Sequence, residues 1–403
     1  MTRIVGITMV RNEQDIIEAF VRYHASFMTH LYVVDHLSTD QTPTILERLV
    51  NEGLPLTVSR EMASEQRQSE VVTHLARHSL EPHNPDWIVP LDGDELLAAN
   101  ATPVGEIMGG LSANRVATVG WKTYVPTKDD ATDKPSLFRR MRHRRSAEDE
   151  LHRKILIPAP LLADTDLVIE QGNHGLRRPG DNASVRIDSV PAEGLYLAHF
   201  PIRGREQLRR KVLIGWPSHV ARPARRIAEA FHWQALFERL LEPQPLTDAE
   251  LSRIALSYSL PDEVAAHAKP VLEPFIGFEP LEELMDWPDA DDTETTVASI
   301  ARATELLARE IAGLKSTLSL ENGTDNAALL SQIFELKTAV LESALESRRR
   351  DDRFLQLIAD QMVEVDRHRR EVENLRTELE IMRSSKSWRW TALLRRLEKL
   401  RRR

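Results

Sequence analysis

The sequence predicts an α/β fold with a mixed, mostly parallel sheet flanked by helices, and three observations support this. Short apolar runs typical of buried strands alternate with amphipathic helical stretches over about the first hundred residues. Polar segments follow the first, second and fourth of these runs. The repeated order of strand and helix is typical of parallel sheets, because parallel neighbours need a right-handed crossover connection.

Four strands and three helices are predicted in this region. The strands are expected at residues 4–9, 31–34, 56–59 and 87–91, and the helices at residues 13–27, 42–53 and 64–80. The second helix has the clearest boundaries. Thr42 is a suitable N-cap, Pro43 suits the first helical position, and Gly53 suits the end.

Residues 101–285 are less regular. Further strands are expected at residues 116–121, 154–158 and 195–200, and a helical stretch from residue 205 to about residue 241. Residues 1–285 are therefore assigned to one α/β domain.

The composition excludes several classes of protein. A net charge of −9 argues against nucleic acid as the main partner, because the chain would repel phosphate backbones. The absence of cysteine excludes disulfides, thiolate zinc sites and cysteine nucleophiles. The first ten residues lack the apolar region of a signal peptide, and no run of about 18 apolar residues could span a membrane. A bacterial-type cytoplasmic protein is expected.

Three carboxylates follow the fourth predicted strand. The segment at residues 86–95 (DWIVPLDGDE) is an apolar run that ends in Asp92, Asp94 and Glu95. Burying unpaired carboxylates is unfavourable, and like charges this close repel unless a positive charge lies between them. A hard cation such as Mg²⁺ or Mn²⁺ suits carboxylate oxygens and leaves positions for a substrate's phosphates. The alternative for an isolated Asp-x-Asp segment is a strand followed by an acidic turn.

The polar loops after the strands are predicted to converge. Residues 11–13, 35–40 and 92–95 each follow a predicted strand. Because ligands of open α/β sheets gather beyond the carboxyl ends of the strands, these loops should line one crevice. An enzyme that handles a nucleotide diphosphate is therefore the leading functional hypothesis.

Three motifs resemble those of glycosyltransferase family 2-like proteins, which have the Rossmann-like GT-A fold. They are residues 7–13 (ITMVRNE), residues 32–42 (YVVDHLSTDQT) and the Asp-x-Asp region at 86–96, and residues 22–24 (RYH) match one branch. The resemblance covers roughly residues 1–240. It implies a metal-dependent enzyme, using Mn²⁺ or Mg²⁺, that transfers a sugar from a nucleotide-sugar donor to a glycan or lipid-linked acceptor with inversion.

The resemblance also implies roles for residues in the first two loops. Arg11, Asn12 and Glu13 follow the first strand, where such enzymes hold the nucleotide base and ribose. Asp35 is expected to accept hydrogen bonds from the base or the ribose, and the alternative is that it caps the following turn. An Asp at the position of Asp40 often organises its own turn rather than touching a ligand.

Two further groups of residues receive roles from the same resemblance. Gln66 and Arg67 are expected to reach the nucleotide, although a solvated helix face explains them nearly as well. The predicted catalytic residues are Asp92 near the ribose and metal, Asp94 as a metal ligand, and Glu95 as a supporting carboxylate. The cation would neutralise charge on the departing nucleoside diphosphate.

A second block, at residues 197–207 (LAHFPIRGREQ) and Lys211, resembles the same branch. His199 is expected to be a third metal ligand or a phosphate contact, although a lone histidine is more often structural. Arg203 and Lys211 are candidate diphosphate clamps. Lys154 and His174 are weaker candidates for the site.

An inverting transferase needs a general base, and the sequence does not identify one. Residues 148–150 are candidates, but arginines flank them and such a charge run is usually a solvated loop.

The C-terminal third differs in character. Residues 286–294 are predicted to be an acidic linker, residues 295–383 a coiled coil, and residues 384–403 a basic amphipathic tail with two tryptophans. The coil favours a homo-oligomer, with an antiparallel hairpin as the alternative. The tail suits peripheral contact with the inner face of an anionic membrane, or a partner protein, and it resembles a segment of bacterial surface-polysaccharide glycosyltransferases.

Two other functions are compatible with parts of the sequence. A nucleotidyltransferase would normally show a glycine-rich, lysine-containing loop after the first strand, which is Arg-Asn-Glu here. A coiled-coil scaffold with a degenerate transferase domain is disfavoured by the intact acidic motif.

Overall fold

The structure is a computed structural model, and it describes residues 2–38, 40–61, 67–130, 136–149, 153–179, 185–220, 231–242 and 244–276. All of these belong to the first of two compact units, which spans Met1–Arg302. The predicted linker, coiled coil and basic tail lie outside the described residues, as do Gln66 and Glu150.

The described residues form a mixed α/β fold. The strands are β1 Ile4–Val10, β2 His30–His36, β3 Leu56–Glu61, β4 Trp87–Leu91, β5 Glu95–Ala99, β6 Val116–Val119, β7 Trp121–Val125, β8 His143–Arg145, β9 Lys154–Pro158, β10 Val168–Ile169, β11 Leu176–Arg178, β12 Val185–Arg186, β13 Ser189–Pro191, β14 Leu195–His199 and β15 Pro270–Leu272. The α-helices are α1 Ile17–Ala25, α2 Thr42–Asn51, α3 Gln68–His78, α4 Leu80–His83, α5 Val104–Gly110, α6 Leu137–Arg140, α7 Arg205–Val220, α8 Phe231–Leu240, α9 Asp248–Ser257 and α10 Asp262–Ala265.

The largest sheet has the strand order β13-β6-β9-β4-β1-β2-β3. Strands β4, β1, β2 and β3 are mutually parallel, whereas β9 runs antiparallel to both of its neighbours. The chain adds β2 and β3 on one side of β1 and then places β4 on the other side. This reversal of strand order makes the gap between β1 and β4 a topological switch point, where open α/β sheets bind ligands.

A second sheet has five strands in the order β15-β8-β7-β14-β5. In it β14 runs parallel to β7 and antiparallel to β5. The predicted strand at residues 116–121 is divided between the two sheets, because β6 ends at Val119 and β7 begins at Trp121. Strand β5 was not predicted, since the acidic segment before it resembles a loop.

Burial on both faces explains why the central strands are continuous apolar runs. In β1, Ile4 and Val10 pack in the cluster that contains α1 and α2, whereas Val5 and Ile7 pack in the cluster that contains α3. The four predicted parallel strands are confirmed. Among the described residues, no helix is both long and apolar enough to cross a membrane.

Two helix boundaries differ from the prediction. Helix α1 begins at Ile17 rather than at residue 13, because the preceding residues form a loop in which Asn12 has a φ of 56°. Thr42 is the first residue of α2 and not its N-cap, since its hydroxyl accepts the N–H of Glu13 at 2.9 Å. The predicted helix at residues 205–241 corresponds to α7 and α8, on either side of residues 221–230.

The fully buried hydroxyl of Thr8 in β1 has no hydrogen-bond partner among the described residues. We expect Thr8→Val to raise the free energy of unfolding by about 1 kcal/mol, because valine has the same shape without the unsatisfied polar atom. Thr73→Val is the matched control, since the Thr73 hydroxyl accepts the N–H of Ile169 at 3.0 Å. In urea unfolding, Thr8→Val should raise the free energy of unfolding and Thr73→Val should lower it. Destabilisation by Thr8→Val would contradict this account.

His24 should make stability depend on pH. It is fully buried, its Nδ1 lies 2.9 Å from Phe20 O, and its Nε2 accepts the N–H of Leu97 at 3.2 Å. Burial lowers the pKa of His24 from 6.5 to about 3, so the unfolded chain binds a proton below pH 6.5 that the folded chain does not. Stability is therefore lost as the pH falls from 6.5 toward 3.

We expect this single group to remove about 2 kcal/mol of unfolding free energy between pH 7 and pH 5. His24→Phe keeps an aromatic ring and removes the titration. Lowering the pH from 7 to 5 should therefore destabilise the wild type by that amount relative to His24→Phe. A difference that stays constant with pH would contradict the assignment.

Candidate functional site

The loops after β1 and β4 meet at the topological switch point. The turn Asp92-Gly93-Asp94 packs against β1 so closely that a Cβ on Gly93 would lie 2.8 Å from Val10 Cγ1 and 3.4 Å from Glu13 Cγ. A larger residue than glycine would therefore push the acidic turn away from the first loop. The arrangement brings the two predicted loops into contact.

Asp94 is buried and paired with Lys211 of α7. Lys211 Nζ lies 2.6 Å from Asp94 Oδ2, and the backbone carbonyl of Asp94 accepts the N–H of Phe200 at 2.9 Å. Burial alone would raise the pKa of Asp94, but Lys211, with smaller contributions from His199 and Arg203, outweighs that effect and holds the pKa below the usual range. Asp94 is thus a carboxylate in the folded protein.

His199 ends β14 and faces the second oxygen of Asp94. Its Nε2 lies 3.8 Å from Asp94 Oδ1, and its Nδ1 lies 3.4 Å from the hydroxyl of Thr123. The ring stacks on Trp121 with a centroid distance of 5.7 Å. Burial lowers the pKa of His199 from 6.5 to about 3, so the imidazole is neutral at physiological pH.

The chemistry of this pair suits a divalent cation. A carboxylate and a neutral imidazole are both cation ligands, and their 3.8 Å separation is too wide for a direct hydrogen bond. No group of three or more histidine or carboxylate side chains in the described ranges is arranged to hold a metal ion. A cation held here would take two protein ligands, which is typical of Mg²⁺ sites completed by water and substrate phosphates.

Asp92 has different surroundings from Asp94. Its Oδ2 accepts from Lys154 Nζ at 2.6 Å, and its Oδ1 accepts from Gln68 at 2.8 Å and from Asn173 at 3.2 Å. The side chain is 36% exposed, so it reaches the crevice, but both of its oxygens already have protein donors. These contacts favour Asp94 and His199 over Asp92 as the cation ligands.

Glu95 is fully buried behind this turn. Its Oε1 accepts from Trp121 Nε1 at 2.7 Å, and its Oε2 accepts the N–H of Asp92 at 3.0 Å. Burial raises the pKa of Glu95 to about 7, against the lowering effect of Lys154. Glu95 therefore braces the acidic turn from within the protein.

Glu13 and Arg203, both predicted to contact the nucleotide, form a buried ion pair with each other and with Asp15. Arg203 Nη2 lies 2.6 Å from Glu13 Oε2, and Arg203 Nε lies 2.6 Å from Asp15 Oδ2. The Arg203 side chain is only 1% exposed. Burial raises the pKa of Glu13 to about 7 despite Arg203. These contacts hold the loop after β1 against the segment that leads into α7, and the predicted diphosphate contact of Arg203 stays a prediction.

Asp35 and Arg11 lie together at the ends of β2 and β1. Asp35 accepts the N–H of Ser38 at 3.2 Å and lies 3.4 Å from Arg60 Nε. Burial raises the pKa of Asp35, and the charges of Arg60 and Arg11 oppose that rise. The hydroxyl of Ser38 in turn accepts the N–H of Asn12 at 2.9 Å. Asp35 thus caps its turn, as the alternative interpretation expected, while remaining beside the basic groups of the crevice.

The other candidates have mainly local contacts. Arg67 is 44% exposed and pairs with Glu70 on the surface of α3. Asp40 accepts the N–H groups of Thr42 and Gln14, which organises the turn. His174 lies 3.2 Å from the carbonyl of Arg153 and meets the edge of Trp121.

Sequence reasoning missed Gln68, Asn173, Trp121 and Thr123. Gln68 lies at the start of α3, two residues from the predicted Gln66, so the helix boundary was a usable signal. Asn173 has a φ of 60° in the short 3₁₀ segment Gln171–Asn173, and no sequence pattern connects it to Asp92. Trp121 and Thr123 reach His199 through the register of β7 and β14, which one sequence does not reveal.

No protein-family model matches the chain, and no curated protein is significantly similar to it. Similarity to solved structures is low. A mannosyltransferase from Pyrobaculum calidifontis in complex with GDP-Man and Mn²⁺ is 14% identical, with a TM-score of 0.30 over 90% of this chain and 85% of that one. A glucosyl-3-phosphoglycerate synthase from Mycobacterium tuberculosis, in complex with Mn²⁺, UDP and phosphoglyceric acid, is 15% identical, with a TM-score of 0.21 over 40% of this chain and 57% of that one.

A mycobacterial protein is 20% identical, with a TM-score of 0.21, and the match spans 30% of this chain and 42% of that one. This chain thus spans less than two thirds of the length of two of these three proteins. TM-scores this low assign neither a fold family nor an activity to the chain.

Lys154 should be important for stability. Its ammonium is 3% exposed and lies 2.6 Å from Asp92 Oδ2 and 3.4 Å from Glu95 Oε1. We expect Lys154→Met to lower the free energy of unfolding by about 3–5 kcal/mol, because Glu95 would remain buried without its cation. Lys122→Met is the control, since Lys122 pairs with the half-exposed Glu273 and should contribute below about 1 kcal/mol. If chemical denaturation showed that Lys154→Met and Lys122→Met lose equal free energy of unfolding, the buried-charge account would be contradicted.

Proposed function

We propose that the protein is a metal-dependent glycosyltransferase with a GT-A fold that transfers a sugar from a nucleotide-sugar donor. One observation supports this above the others. Asp94 and His199 face each other at 3.8 Å beside Lys211, at the switch point between β1 and β4. A cation site at the place where an α/β sheet binds its ligand suits a substrate that carries a diphosphate.

The arrangement supports one orientation of the nucleotide-sugar donor in the crevice. Arg11 and Asp35 would contact the base and ribose at the ends of β1 and β2, and Asp92 offers a half-exposed carboxylate next to the acidic turn. Asp94 and His199 would hold Mn²⁺ or Mg²⁺ against the diphosphate. Lys211 is 17% exposed, so its ammonium lies within reach of the same phosphates.

The proposed chemistry is displacement of a nucleoside diphosphate from the sugar. A bound divalent cation would supply positive charge where the leaving group becomes more negative. Lys211 adds a fixed positive charge at the same place. Glu148 is a poor candidate for the general base, because both of its oxygens are occupied by Thr123 and Arg145.

The wider role is proposed from the family resemblance. It comprises inverting transfer to a glycan or lipid-linked acceptor in bacterial cell-surface polysaccharide biosynthesis, on the cytoplasmic side. Self-association through residues 295–383 and membrane contact through residues 384–403 belong to the same proposal.

A thermal-shift panel of nucleotide sugars and nucleoside diphosphates, with and without Mn²⁺, tests the function. A ligand that binds only the folded protein raises the melting temperature. We expect one nucleotide to give a shift that requires Mn²⁺, which would identify the donor base. No shift across the panel would favour a non-catalytic scaffold.

Asp94→Asn should abolish this Mn²⁺-dependent shift and reduce transfer to background, because an amide is a weaker cation ligand than a carboxylate. Asp86→Asn is the matched control. Asp86 precedes the same strand, β4, but its carboxylate is 44% exposed and pairs with Arg3. It should keep the full shift. Circular dichroism should show that Asp94→Asn is folded, and a Mn²⁺ dependence equal to that of the wild type would refute the cation assignment.

A further inference from the structure

Thr123 connects the histidine of the candidate cation site to a buried ion pair. The register of the parallel strands β7 and β14 sets Thr123 beside His199. The Thr123 hydroxyl lies 3.4 Å from His199 Nδ1 and 3.0 Å from Glu148 Oε2. The backbone N–H of Thr123 donates to the other oxygen of Glu148 at 2.6 Å. The hydroxyl therefore stands between a ring nitrogen and a carboxylate.

Glu148 can only accept hydrogen bonds in this arrangement. Arg145 donates to Glu148 Oε2 from Nε at 2.8 Å and from Nη2 at 2.6 Å. The guanidinium is 3% exposed and also donates to the carbonyl of Tyr258 at 2.7 Å, which fixes its position. A carboxylate paired in this way has no proton to give. The single hydroxyl proton of Thr123 therefore points to Glu148.

The direction of that proton determines which nitrogen of His199 is protonated. Since the Thr123 oxygen can offer His199 only a lone pair, the hydrogen between them must belong to Nδ1. An imidazole that binds a metal is neutral and carries one proton, so Nε2 has the free lone pair. Nε2 is the atom that lies 3.8 Å from Asp94 Oδ1. The opposite tautomer would place an N–H in that gap.

We propose that Thr123 and Glu148 are positioning residues that hold His199 in the Nδ1–H tautomer, so that Nε2 and Asp94 can bind a divalent cation together. Arg145 supports them by holding Glu148. The role of this tautomer in cation binding rests on the proposed function, whereas the assignment of the proton to Nδ1 does not. Partners beyond the ligands commonly fix a metal-binding histidine in this way and contribute to metal affinity.

The tautomer can be measured in the full-length, metal-free protein by NMR of ring-¹⁵N histidine. The chain has 14 histidines, so the His199 signals would be assigned by their loss in His199→Gln. We expect a wild-type ring protonated at Nδ1. In Thr123→Val the ring should shift toward the Nε2–H tautomer, because valine accepts no hydrogen bond and Asp94 attracts the proton. Thr123→Ser keeps a hydroxyl and should restore the wild-type signals.

Mn²⁺ binding, followed by electron paramagnetic resonance of the free ion, gives the second measurement. Thr123→Val should bind Mn²⁺ about 10–100-fold more weakly, with Thr123→Ser close to the wild type and all three proteins equally folded. A wild-type ring protonated at Nε2, or equal Mn²⁺ affinity in Thr123→Val, would overturn the proposal. An Nδ1–H ring in a protein that binds no Mn²⁺ with any nucleotide would support the tautomer assignment and refute the transferase function instead.

Discussion

The pairing of buried carboxylates at the ends of β1 and β4 is the constraint on which the site depends. Asp94 and Glu95 are buried, the Glu13 side chain is only 12% exposed, and an unpaired buried carboxylate would destabilise the fold by several kcal/mol. Their cationic partners lie far away in the chain. Arg203 is 190 residues from Glu13, and Lys211 is 117 residues from Asp94. The charges therefore hold α7 and the segment before it against the loops after β1 and β4, and the same contacts that stabilise the fold assemble the crevice.

The parallel half of the main sheet could be predicted because its strands are buried on both faces. Such strands need apolar residues at nearly every position, which one sequence displays directly. The polar loops were equally visible, because each one interrupts an apolar run at its carboxyl end. Burial explains why β4 and its acidic turn were identified correctly. Strand β5 was missed because its first residue, Glu95, has a charged side chain, which is not typical of a buried strand.

The partners of the site could not be predicted, because they depend on pairing between distant strands. His199 pairs with Glu95 on one side and with Thr123 on the other, and these registers join residues that lie far apart in sequence. Lys154 reaches the acidic turn from β9, an antiparallel neighbour of β4. The family resemblance indicated that Lys154 and His199 were candidates, but it contained no information on which carboxylate each would face. Sequence reasoning therefore proposed candidate ligands without the geometry that joins them.

The site lies where the two larger sheets meet, and this placement explains why its residues come from so many elements. β6 ends at Val119, which pairs with Lys154 in the main sheet, and β7 begins at Trp121, which pairs with Leu197 in the second sheet. Gly120 connects them, and its carbonyl accepts the N–H of Leu197 at 2.9 Å. Asp94 follows a strand of the first sheet, whereas His199 ends a strand of the second. Their separation is set within the second sheet, because Glu95, which directly follows Asp94, pairs with His199, and the Asp94 carbonyl accepts the N–H of Phe200 at 2.9 Å.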